Sequence, residues 1–110
     1  MVVQKSSDVE IDRIFQALAD GTRRDIVSRV LRGEQSVSAL ARGYAMSFAA
    51  VQKHVAVLER AALVVKERRG REQLVHGNPD GIQRARVLLD HFEELWRRRT
   101  ETIDSLLAEE

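Results

Sequence analysis

At 110 residues, 44% hydrophobic and 32% charged, the chain has room for one domain with a single core and the balance of an ordinary globular protein. It has no cysteine, which excludes disulfides and thiolate metal sites and fits a reducing cytoplasm. No apolar run approaches the ~20 residues of a membrane-spanning helix, and the polar start MVVQKSSDVEID is unlike a secretory signal. The formal net charge of +1 hides an uneven distribution: residues 35–71 hold seven basic and two acidic side chains, net +5, and residues 80–110 hold five basic and eight acidic, net −3.

Ile11, Ile14, Phe15 and Leu18 fall at i, i+3, i+4 and i+7, which predicts an amphipathic helix over 8–19. Asp20-Gly21 breaks it. Thr22, with Asp25 three residues on, then reads as the cap of a second helix that runs to Arg32 and stops at Gly33, burying Ile26, Val27, Val30 and Leu31. Ser36 caps a short third helix that Gly43 ends. Ser47 caps a fourth, FAAVQKHVAVLERAA, whose apolar stripe is Val51, Val55 and Leu58. Two short capped helices joined by a glycine-containing turn form a helix-turn-helix over 36–61. The period then changes to that of strands: LVV-KERR, Gly70-Arg71 and EQLVH predict a hairpin over 63–77. Asn78-Pro79-Asp80-Gly81 punctuates, and a long helix follows over 80–108 with Leu88, Leu89, Phe92, Leu95, Trp96, Ile103, Leu106 and Leu107 on one side.

No repeat, low-complexity tract or linker divides the chain, so residues 1–110 read as one domain, mainly α with a small β-hairpin in the order α-α-α-α-β-β-α, a winged helix-turn-helix. One copy has too little core to bury both the first helix and the Trp96 face of the last. Ile11, Ile14, Phe15, Leu89, Phe92, Trp96 and Ile103 are therefore candidates for a homodimer interface through the first and last helices.

An α-helix fits the DNA major groove, and a phosphate backbone responds to the local field rather than to net charge. With Val51, Val55 and Leu58 turned inward, Ser47, Phe48, Ala49, Gln52 and Lys53 form the candidate major-groove face, and His54 beside the apolar stripe is counted with them as a partly buried structural or phosphate-bonding residue. Gln52 suits adenine, Lys53 suits guanine acceptors or phosphate, and Phe48 and Ala49 suit a thymine methyl. No acid occurs between Gln35 and Leu58. Lys66, Arg68, Arg69 and Arg71 on the hairpin, with Arg42 on the third helix, are candidate phosphate contacts.

Catalysis finds no support: there is no cysteine nucleophile, glycine-rich phosphate loop, HExxH or GxSxG. His76 reads as structural. His91 and Asp90 are adjacent on a helix, about 100° apart, and do not form one metal site by themselves.

Over about residues 9–108 the chain resembles the ArsR-type winged-helix transcriptional repressors, and three segments carry the likeness. IFQALADGTRRDIVSRVL is similar to the family's opening stretch. SVSALARGYAMSFAAVQKHVAVLERAALV is similar to its helix-turn-helix, with Lys53, His54, Val57, Leu58, Glu59, Leu63 and Val64 carrying the likeness at its end. ERRGREQ is similar to its wing tip. The resemblance implies a homodimer on a twofold-symmetric operator in double-stranded DNA, repressing by blocking polymerase, often at its own promoter. Metal-sensing members place Cys-x-Cys on the third helix, where this chain has Ser36-Val37-Ser38. Serine hydroxyls stay protonated near neutral pH and bind soft metals poorly. Others use Asp-x-His and a later His pair on the last helix, and Asp90-His91 lacks that spacing. The resemblance is therefore to a branch without metal sites, cofactor or identified small-molecule effector. The readings that compete are a winged-helix module for protein–protein contact and a metal-responsive repressor built from carboxylates and His91. Ala62 stands where the family has glycine, which calls for a left-handed alanine or a different turn, and Gly77 stands where a large apolar residue is common, which predicts a loosened last strand.

Overall fold

The computed structural model describes residues 2–108, with side chains from Asp8 onward. The elements are α1 (Val2–Leu18), α2 (Gly21–Arg32), β1 (Gln35–Ser36), α3 (Val37–Arg42), α4 (Phe48–Arg60), β2 (Val64–Arg69), β3 (Glu72–Gly77) and α5 (Pro79–Ala108). None of the helices is long and apolar enough to cross a membrane.

The first helix begins well before residue 8 and ends in a pinned corner. Arg23 donates from Nε to Ala17 O (2.8 Å) and from Nη2 to Gln16 O (3.1 Å), and Arg24 donates to Leu18 O (2.7 Å). Two cations thus satisfy the orphan carbonyls at the negative end of α1. Asp20, not Thr22, caps α2: its backbone is extended (φ −107°, ψ 131°) and its carboxylate accepts from the Arg23 N–H at 3.0 Å. Gly21 is already helical.

Ser36 and Ser47 cap α3 and α4 as expected, their hydroxyl oxygens accepting from Ala39 N (3.0 Å) and Ala50 N (3.1 Å). α4 ends in a Schellman turn: Leu63 N bonds Leu58 O and Ala62 N bonds Glu59 O, both at 3.0 Å. Ala62 takes φ +59°, so the left-handed alanine is the one realised. Leu58 and Leu63, the apolar pair that accompanies this turn, are both fully buried.

The sheet has three strands rather than two, ordered β1-β3-β2, all antiparallel. β1 joins through Gln35 opposite Val75 and Ser36 opposite Leu74, which ties the start of α3 to the hairpin. Gly70 (φ +64°) makes the two-residue turn between β2 and β3. Gly77 does not loosen β3. A Cβ there would collide with Leu31 Cδ2 and lie 3.3 Å from Leu31 Cα, so the glycine lets α2 seat directly on the strand, and Leu31 lies half-exposed over it rather than in the core.

The core joins Ile14, Ile26, Leu40, Val51, Val55, Leu58, Leu63, Val64 and Val75, all fully buried, each contributing roughly 2 kcal/mol by leaving water. From α5, Gly81 and Ala85 are buried and Ile82 packs against the core. The rest of the helix runs outward, giving the molecule a long axis of 69 Å against 33 and 20 Å.

Candidate nucleic-acid interface

The turn between α3 and α4 is held from behind by α2. Gly43 leaves space for the Arg29 guanidinium, which any Cβ at this position would strike. Arg29 lies over the Tyr44 ring, 4.6 Å from its centroid, and its Nε is 3.0 Å from Asp25 Oδ2. The Tyr44 hydroxyl donates to the same carboxylate oxygen at 2.6 Å. Desolvation first, then the bond to Asp25, push the Tyr44 phenol up to about 12, and that bond holds Asp25 below the usual carboxylate range. This brace, absent from the sequence reading, fixes the angle at which α4 leaves the turn.

On α4 the 100° step sends Ala49, Lys53 and Arg60 opposite the buried Val51-Val55-Leu58 stripe, with Gln52 beside them; all four are exposed. Phe48, the first helical residue, is 47% exposed, a large apolar side chain left on a polar face. Ser47 is exposed, its oxygen engaged as the cap. Arg60 was not among the candidate contacts, although its position seven residues after Lys53 places it on the same face. His54 leaves the set. Its Nδ1 lies 3.4 Å from Arg23 Nη1 and 3.9 Å from Asp20 Oδ2, so it braces α4 against the α1–α2 corner instead of facing outward.

The hairpin divides its charge between two faces. Residues paired across the ladder share a face, so Lys66 and Arg68 point with Val75 and Gln73 toward α3 and α4. Glu67, Arg69 and His76 point the other way. A concavity between hairpin and helices is lined by Ser38, Phe48, Gln52, Arg68 and Arg71, with Glu72 as the one carboxylate on its wall. Arg42, Lys53, Arg68 and Arg71 have no carboxylate within 4 Å among the described residues. Lys66 pairs with Glu59 (3.5 Å), and Arg69 with Glu34 (3.2 Å) and Glu67 (3.3 Å). Hydrogen bonding to Glu67 raises Arg69 above its ordinary range. Gln52, Arg68 and Arg71 thus line one concavity, Ser47 and Lys53 stand exposed on α4 and Arg42 is exposed at the end of α3, while Lys66 and Arg69 are held by carboxylates.

The proposed dimer residues fall in two groups. Ile14 is fully buried in its own protomer's core and offers nothing to a partner; Ile11 is half-buried against the same core. Phe15 is 37% exposed, and Leu89, Phe92, Trp96 and Ile103 stand exposed along α5, Trp96 at 68%. Among the described residues no group of three His, Cys, Asp or Glu side chains is placed to hold a metal ion; His91 is exposed on α5.

No family model matches the chain. It is 42% identical over 87 residues to the HTH-type transcriptional regulator Rv2034 of Mycobacterium tuberculosis, covering 79% of this chain and 78% of that protein. It also matches the crystal structure of an ArsR family transcriptional regulator at 31% identity and a TM-score of 0.78, over 82% of this chain and 93% of that one. The solution structure of a homodimeric winged helix-turn-helix DNA-binding domain from Mycobacterium bovis, a possible ArsR-family regulator, shares the fold: TM-score 0.68, 23% identity, 83% of this chain and 85% of that one.

Proposed function

Because the chain belongs to the ArsR family of transcriptional regulators, we propose that it acts as a homodimeric repressor on a twofold-symmetric operator in double-stranded DNA. The α4 helix lies in the major groove, and the hairpin reaches the flanking minor groove through Arg68 and Arg71. The observation that carries this reading is the α4 face itself. It is capped, braced at its turn, free of acids from Gln35 to Leu58, and flanked by cations that, among the described residues, have no carboxylate within 4 Å. Gln52 and Phe48 supply base-edge contacts, and Lys53, Arg42, Arg68 and Arg71 supply register and affinity. Chemistry of this kind needs no cofactor and no catalytic group, and its place of action is the cytoplasm.

Two α4 helices read successive major grooves only when held about 34 Å apart. The apolar strip of α5, with Leu89, Phe92, Trp96 and Ile103 between 46% and 68% exposed in the protomer, supports pairing of two copies through this helix and the Phe15 side of α1. Trp96 is the sole tryptophan, so its emission reports on that strip alone. The expected result is a dimer by sedimentation, with blue-shifted emission that reddens on dilution. Trp96→Ala should weaken association by roughly 3 kcal/mol, and operator binding with it. A monomer at micromolar concentration, or no retardation of the chain's own promoter DNA at low salt, would refute the reading; the second result favours a protein–protein module.

A further inference from the structure

The outer face of the hairpin carries a cluster that groove contact does not explain. His76 on β3 places Nδ1 3.1 Å from Glu34 Oε2 and Nε2 2.8 Å from Glu67 Oε2. Arg69 spans the same two carboxylates, at 3.2 Å and 3.3 Å. Glu34 comes from the connection between α2 and β1, on one edge of the sheet, while Glu67 and Arg69 come from β2 on the other. The cluster therefore ties the hairpin back to the helical body across all three strands.

A neutral imidazole carries one N–H, so it can donate to only one of these carboxylates and must set a lone pair against the other. An imidazolium carries an N–H at each position, one in the hydrogen bond from Nε2 to Glu67 and one on the Nδ1 that lies at ion-pair distance from Glu34. The contacts as they stand suit the protonated ring, and its hydrogen bond is the foremost reason Glu67 sits below the usual carboxylate range. With the ring charged, the cluster of two carboxylates, Arg69 and His76 is neutral; without that proton it carries −1.

Resting on the DNA-binding reading above, we propose that Glu34, Glu67 and His76 form a proton-dependent clasp that positions the hairpin for DNA, so that affinity rises on acidification. These are positioning residues and need touch no nucleotide. The charged groups around the imidazole are Glu67 and Arg69 from β2 and Glu34 from the α2–β1 connection, with Glu72 of β3 farther along the same face. Among the described residues, α2 and α3 bring no charged side chain within ion-pair distance of the imidazole. Loss of the proton removes one strut and leaves a net negative charge on the hairpin, and both effects oppose binding.

The test uses the full chain and a mixed-sequence 30-base-pair duplex at low salt, with anisotropy read from pH 8 to pH 6. The wild type should gain about fivefold in affinity, within the tenfold per pH unit that uptake of one proton allows. His76→Gln and Glu34→Gln should flatten the profile, and His91→Gln should keep it. Without DNA, backbone amide resonances of residues 67–76 should shift between pH 8 and pH 6 in the wild type, hold still in His76→Gln and shift less in Glu34→Gln. An unchanged profile in His76→Gln, or amide shifts indifferent to Glu34→Gln, would overturn the clasp. Failure to bind duplex at every pH would overturn the DNA reading and its pH effect together, while the amide shifts would still decide whether the clasp exists.

Discussion

The salt dependence of DNA binding separates the hairpin's cations by the face they occupy. Arg68 and Arg71 line the concavity beside α4 with no carboxylate within 4 Å among the described residues, whereas Arg69 on the opposite face is held by Glu34 and Glu67. Each phosphate neutralised adds about 0.9 to the slope of log affinity against log salt, and over roughly 50 to 200 mM one such contact is worth about threefold. Arg68→Ala and Arg71→Ala should therefore each shallow the slope by about 0.9, and the double variant by about 1.8, uniformly across DNA sequences. Arg69→Ala removes no phosphate contact. It exposes two carboxylates, so affinity falls somewhat, but the slope should change by less than half as much. Anisotropy titrations of operator and unrelated duplexes at four or more salt concentrations give the slopes directly. If Arg69→Ala shallows the slope as much as Arg68→Ala, the assignment of faces is wrong.

Ser47 has two roles that one pair of variants can separate. Ser47→Ala loses the bond to Ala50 N and should cost about 1 kcal/mol in urea unfolding, while Ser47→Asp keeps the cap and the stability yet sets an anion at the groove, so DNA affinity should fall by an order of magnitude or so. Tyr44 is the sole tyrosine, and its phenolate absorbance should appear near 12 in the folded chain and return to about 10 in denaturant. Because the folded value is the higher one, the brace's contribution is complete below pH 10 and is lost as pH rises toward 12; Tyr44→Phe should remove that alkaline loss, and a phenol titrating near 10 in the native chain would contradict the brace.

Features written in local pattern were legible in the sequence: the Ser36 and Ser47 caps, the Val51-Val55-Leu58 stripe and the change of period after Leu63 need only neighbours within one or two turns. What stayed hidden depends on partners far along the chain. Asp20 and Thr22 are both competent caps, and the choice between them follows from Arg23 and Arg24 pinning the end of α1. A two-residue strand such as Gln35–Ser36 has no period to read. Tyr44 and Asp25 lie nineteen positions apart. In KERRGRE no apolar alternation sets the phase, so the sequence could not say which arginine turns toward α4. Ile14 shares its spacing with Ile11 and Phe15, and only the closeness of α2 and α4 tells a core position from an exposed one.

The pairing pattern also explains how a chain of net charge +1 can present a strongly basic face. Within residues 35–71 the two acids are each spent on a cation, Glu59 on Lys66 and Glu67 on Arg69. The cations left without a carboxylate within 4 Å, among the described residues, are Arg42, Lys53, Arg60, Arg68 and Arg71, and their number equals the net +5 of that segment. The acids of α5 sit largely among its own arginines, as in Arg97 with Glu93 and Glu94, so they do not reach across to cancel this field. A homodimer would then carry at most ten such cations toward its operator. Ten phosphate contacts correspond to a log–log slope near −9, which is the ceiling for this surface. A measured slope well beyond that would require contacts from outside α3, α4 and the hairpin, and would move the interface elsewhere.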